Sequence, residues 1–115
     1  MRLDREILAT LRALGGEAAP GFLNELIDTY LVDSVGMLAA IENAAAAGDN
    51  MSLFKAAHGL KGCCGNLGAN LLAMACASLQ TAAESGDANR VRVGVAEVSR
   101  EFRATDAALR TFRYS

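Results

Sequence analysis

Toward its end the chain places Val91, Val95, Val98, Phe102, Thr105, Leu109 and Phe112 at alternating steps of four and three. A stretch with that period hides its apolar edge only as a helix lying along other helices. Upstream, apolar residues again recur at three and four rather than two, and every candidate connection is short. Consecutive long helices joined by short connections pack antiparallel. The expected class is therefore all-α: an antiparallel up-down four-helix bundle with a short additional N-terminal helix across one end.

Five helices can be placed. The first starts at Asp4, a suitable N-cap, runs through Ile7, Leu8, Leu11 and Leu14, and stops at Gly15-Gly16. The second follows Pro20, a residue suited to a first helical turn, carries a seam of Leu23, Ile27, Tyr30, Ser34, Met37, Ile41 and Ala44, and ends at Gly48. Asp49 or Asn50 caps the third, which should stop near Gly65 to Gly68. The fourth runs from Ala69 to about Glu84, with Leu72, Cys76, Leu79 and Ala83 inward, and Gly86-Asp87 separates it from the fifth.

Composition narrows the function. With 115 residues, 52% of them hydrophobic, the expectation is one domain over 1–115 with enough chain to bury a core. No apolar run reaches the roughly 18 residues needed to span a bilayer, and the residues up to Arg12 lack the pattern of a signal peptide. A cytoplasmic location is the expectation, with no membrane partner. The net charge of −2 argues against nucleic acid, whose binders concentrate positive charge. The three cysteines, Cys63, Cys64 and Cys76, are odd in number with two adjacent, a poor disulfide framework. A zinc site of His58 with these cysteines is disfavoured, because neighbouring helical residues point about 100° apart; no metal and no cofactor is expected.

One residue stands out chemically. His58 is the only histidine, and the only two lysines, Lys55 and Lys61, lie three residues to either side of it. On a helix, Leu53, Ala57, Leu60, Cys64 and Leu67 form the inward stripe, and His58 falls opposite. Lys55, Lys61, Gly62, Gly65, Met51 and Phe54 share its side, within about 60° at 100° per residue. Gly59, Gly62 and Gly65 each cost a helix about 1 kcal/mol relative to alanine. Gly62, one turn after His58, clears volume in front of the imidazole. A neutral imidazole nitrogen is a competent nucleophile toward an acyl phosphate, and a nearby lysine both opposes ring protonation and attracts a phosphoryl group. A solvated surface histidine with solubilising lysines is the plainer reading of the same residues, and Phe54 serves equally as packing against the first or second helix.

His58, Leu60, Lys61, Gly62, Leu67, Gly68 and Ala69 together resemble the signature of histidine-containing phosphotransfer (HPt) domains, the relay modules of multi-step two-component signalling. The likeness extends from Phe22 to Asp49 and from Leu79 to Phe112. The resemblance implies that His58 is the phosphorylated residue, that Lys61 stabilises the phosphoryl group, and that Gly62 gives a partner access. It also implies a polar residue on the next helix that orients the imidazole. Gln80, twenty-two residues on, matches that position, and an ordinary surface glutamine fits it as well. Cys63 and Cys64 depart from the family's usual serine, alanine or glycine.

The implied partners are response regulator receiver domains, which bring their own aspartate and metal ion, and a sensor or hybrid histidine kinase. Met51, Phe54, Lys55 and Gly65 would extend the docking surface around His58. No glycine-rich phosphate loop, acidic magnesium cluster or second histidine is present, so the expectation is a phosphohistidine carrier without its own ATP-dependent kinase activity. Two other readings stay open: a phosphorylation-independent adaptor that docks on a kinase or receiver, and a structural bundle that dimerises through the valine and phenylalanine seam of the last helix.

Overall fold

The computed structural model describes residues 3–4, 6–9, 13 and 21–113; the side chain of Asn66 is left undescribed. Residues 6–9 form a helical turn, α1. Four long helices follow: α2 (Phe22–Ala46), α3 (Asn50–Leu67), α4 (Asn70–Ser85) and α5 (Ala88–Arg113). Each packs on its neighbours in the chain, and α2 also packs on α5, so the four close into a ring in the order α2, α3, α4, α5. Among the described residues no strand is present.

The apolar periods place the core. Leu23, Ile27, Tyr30, Ser34, Ile41 and Ala44 of α2 are buried, as are Leu53, Ala57, Leu60, Cys64 and Leu67 of α3. So are Leu72, Cys76, Leu79 and Ala83 of α4 and Val91, Val98, Phe102, Thr105 and Leu109 of α5. Met37, Val95 and Phe112 pack at the edge, half-buried. The seam of α5 is thus used inside its own bundle. Dimerisation through it is ruled out, because the apolar surface it would need already faces α2 and α4.

Boundaries follow local chemistry. Asp49, not Asn50, caps α3: its carboxylate accepts from the Ser52 amide at 3.1 Å and from the Ser52 hydroxyl at 2.6 Å. These bonds to Ser52 hold the Asp49 carboxyl below its ordinary value, with smaller help from Lys55. Gly68, at φ +68°, ends α3 in the left-handed conformation, and its successor's amide reaches back to the Cys64 carbonyl. α2 ends at Ala46, two residues before Gly48 at φ +69°. At the start of the chain, Asp4 caps α1 through the amides of Glu6 and Ile7. Leu11, Leu14, Gly15, Gly16 and Pro20, named above for the first two helices, lie outside the described residues.

The N-terminal segment is fastened to the α3–α4 turn. Asp4 donates its amide to the Gly68 carbonyl at 2.7 Å, and Leu3 and Leu8 sink into the core. A Cβ at Gly68 would lie 2.6 Å from the Asp4 Cβ. Gly94 allows a similar approach of α5 to α4, since a Cβ there would meet Leu79 Cδ1 at 3.0 Å. At the Gly68 end of the bundle Arg113 grips Asp28 of α2 with two hydrogen bonds of 2.7 and 3.1 Å. Gly68→Ala should therefore lower stability by more than the 1–2 kcal/mol or so that left-handed backbone costs an L-residue, read from denaturant unfolding. A loss below 0.5 kcal/mol would mean the Asp4 contact is not held in solution.

Candidate functional site

His58 emerges from the middle of α3 as an exposed side chain, while Ala57 before it and Leu60 after it are fully buried. The helical period that buries one stripe of α3 therefore aims the imidazole outward. On α4 the same logic leaves Gln80 at the border between core and surface, 8% exposed. The two meet: Gln80 Nε2 lies 3.4 Å from His58 Nδ1. One ring nitrogen is engaged by a buried amide, and Nε2 is the nitrogen Gln80 leaves unengaged.

Lys61, one turn after His58, is exposed, and its charge reaches across to α4. Cys76, one turn before Gln80, has its thiol pulled down mainly by a hydrogen bond with Cys64, and Lys61 adds to the effect. The same hydrogen bond and burial push Cys64 up. The Cys64 and Cys76 thiols thus face each other in the core between α3 and α4. Cys63 turns the other way, half-buried, with its thiol 3.6 Å from Met37 Sδ on α2. The adjacent cysteines consequently serve two different helix contacts.

Gly59, Gly62 and Gly65 are exposed, and a Cβ added to any of them would meet nothing within 4 Å. Packing inside the molecule gives no reason for glycine at these three positions. Lys55 is exposed one turn before His58, and Met51 is 72% exposed. Phe54 is half-buried and packs against the core, so only its outer edge faces solvent. Sequence reasoning missed Met74, 65% exposed on α4, and the half-buried Ala73 and Ala77. The antiparallel register set by Gln80 and His58 brings Ala73 and Ala77 level with Gly65 and Lys61. A signal existed for Met74: it is a large apolar residue off the Leu72, Cys76, Leu79 stripe.

A family model described as the Hpt domain matches residues 25–111. The chain belongs to the Hpt domain family. This Hpt chain is 32% identical to histidine-containing phosphotransfer protein B (HptB) of Pseudomonas aeruginosa PAO1, with a TM-score of 0.86 over 98% of this chain and 95% of that one. Its fold also matches the maize histidine-containing phosphotransfer protein ZmHP2, at 23% identity and a TM-score of 0.77, over 96% of this chain and 81% of that one. Comparison with curated proteins returns no match. Histidine phosphotransfer in a phosphorelay is the role that membership assigns, and Hpt domains work with histidine kinases and response regulators. Among the described residues of this Hpt chain, no helix is long and apolar enough to cross a membrane.

The open space at Gly62 makes a stability prediction. Gly62→Ala should raise the unfolding free energy by about 1 kcal/mol, the helix-propensity difference, seen as a higher Tm. A loss of stability instead would mean that the glycine serves the fold.

Proposed function

We propose that His58 accepts a phosphoryl group from a phospho-aspartyl receiver domain, or from a hybrid kinase, and passes it to the receiver domain of a response regulator. The observation that carries this reading is an exposed imidazole, the only one in the sequence, with its Nδ1 against the buried Gln80 amide. Rotating that amide by 180° exchanges its NH2 for its carbonyl oxygen at the same place. Gln80 Oε1 then accepts a hydrogen bond from Nδ1–H, and the neutral ring keeps its lone pair on Nε2.

From that tautomer Nε2 attacks the phosphorus of the acyl phosphate. The N–P bond forms as the bond from phosphorus to the aspartyl oxygen breaks, and the aspartate leaves as carboxylate. The ring, now bearing both the phosphoryl group and Nδ1–H, is cationic, and Gln80 stabilises it by continuing to accept that proton's hydrogen bond. Lys61 places positive charge beside the incoming phosphoryl oxygens. Gly62 and Gly65, with Ala73 and Ala77 facing them, keep side chains out of the receiver's path. Met51, the rim of Phe54 and Met74 offer it apolar area, and Lys55 complements an acidic receiver pocket. Transfer in the reverse direction uses the same atoms.

The test is to incubate the protein with a phosphorylated receiver domain and follow an acid-labile, base-stable phosphoryl group, with His58→Gln as control. Label should appear on the wild type and vanish from the variant. Label on His58→Gln removes His58 as acceptor, and no label from a panel of receivers favours an adaptor. Gln80→Ala should slow transfer about tenfold, equivalent to one hydrogen bond worth about 1.4 kcal/mol. Gln80→Glu should recover part of the rate, and its carboxylate should favour the imidazolium. The acidic limb of the pH–rate profile therefore moves to higher pH, a displacement that a purely structural role for Gln80 would not produce.

A further inference from the structure

The charges of this chain are divided between two neighbouring helices. Residues 13–54 contain six carboxylates and no lysine or arginine. α2 carries Glu25, Asp28, Asp33 and Glu42, whereas α5 carries six arginines against three carboxylates. The two helices share one side of the ring, opposite the α3–α4 side that bears His58 and Gln80.

Each also displays a second, outward seam beside their shared groove. On α2, Asp28, Val32, Val35, Ala39, Glu42 and Ala46 follow one another in steps of four and three, and all are exposed. Val32 and Val35 are 74% and 60% exposed, two of the most exposed large apolar residues in the described structure. On α5, Arg92, Ala96, Ser99, Arg103, Asp106 and Arg110 repeat the same steps at the surface or half-buried. The Asp28–Arg113 bond shows that these two sides face each other across the groove.

We infer that this face is a self-association surface: a second copy of the chain packs on it about a twofold axis parallel to the helices, laying α2 of each copy on α5 of the other. Charge selects both the occupant and the axis. A twofold axis across the helices would stack α2 on α2 and α5 on α5, opposing carboxylates to carboxylates and arginines to arginines. The parallel axis sets the carboxylates of the α2 seam against the arginines of the α5 seam twice, with Val32 and Val35 level with the partner's paired Asp106 and Arg110 and able to lie on their aliphatic stems. Alternating steps of four and three on both partners are the pattern of side chains interlocking between packed helices.

The size is sufficient. A helix of 25 residues is about 37 Å long, and two such helices about 10 Å apart present a footprint near 700–800 Å² per copy. That is a standard-size interface. The symmetry is isologous and closes at two copies. Because Asp28 lies level with Arg113, Glu42 lies level with residue 99, about 6 Å along the axis from Arg103. Those two side chains can meet between copies.

Sedimentation equilibrium of the whole chain tests this. At low ionic strength the wild type should show twice the 12.0 kDa chain mass, with association weakening as salt is added. Glu42→Arg and Arg103→Glu alter exposed side chains, and each alone should weaken association at least tenfold while circular dichroism stays unchanged. An equimolar mixture of the two variants should associate again, because each puts its reversed charge against the other's. A wild type that stays at the chain mass at every concentration, single variants that associate like the wild type, or a mixture that fails to recover would each overturn the inference. None of these outcomes depends on phosphotransfer at His58.

Discussion

The contact between Gln80 and His58 is where the fold becomes chemistry. A histidine projecting from a lone helix would rotate freely and present either nitrogen in either tautomer. Here a glutamine that is itself 8% exposed, on the same side of α4 as the buried Cys76 and Ala83, meets one ring nitrogen of a side chain otherwise in water. The cost of ordering the imidazole is therefore met by folding rather than at the encounter with a partner. The contact requires α3 and α4 to keep their register, and the core between them does so. Leu60, Cys64, Leu72, Cys76 and Leu79 are fully buried.

Around that contact the surface is built from residues that do little for stability. Three helical glycines face open space, and Ala73 and Ala77 line the opposing helix. Glycine in a helix interior is unfavourable, and no turn or close approach compensates at these positions. At Gly68 and Gly94, by contrast, glycine lets the Asp4 segment and Leu79 approach closely. The same residue type thus serves packing at the ends and seams of the bundle and leaves clearance beside the imidazole.

Much of the fold was legible in the sequence, because helical periodicity survives into tertiary structure: the residues that the steps of three and four pick out on α3, α4 and α5 are buried or half-buried, although Ala75, Gln80, Ala82 and Gly94 are buried beside them. The choice of Asp49 over Asn50 as cap was not, since either side chain can accept from the first turn and only the backbone decides. At the site, the outward aim of His58 followed from the burial of Ala57 and Leu60, one residue before and two after. Gln80 was ambiguous, because a glutamine 22 residues away meets the histidine or misses it according to the helix register. Met74, Ala73 and Ala77 were overlooked because their relation to His58 is purely tertiary. The clasp of Asp4 on Gly68 was hidden for the same reason: a glycine that stops a helix reads alike with or without a neighbour.

The central claim is that Gln80 holds the His58 ring with its proton on Nδ1 and Nε2 free to react. The most direct measurement is a ¹⁵N–¹H correlation spectrum of the imidazole near neutral pH, with Gln80→Ala for comparison. The account predicts a neutral ring dominated by the Nδ1–H form in the wild type, and a shift toward Nε2–H in the variant. A wild-type ring carrying its proton on Nε2, unchanged when Gln80 is removed, would contradict it.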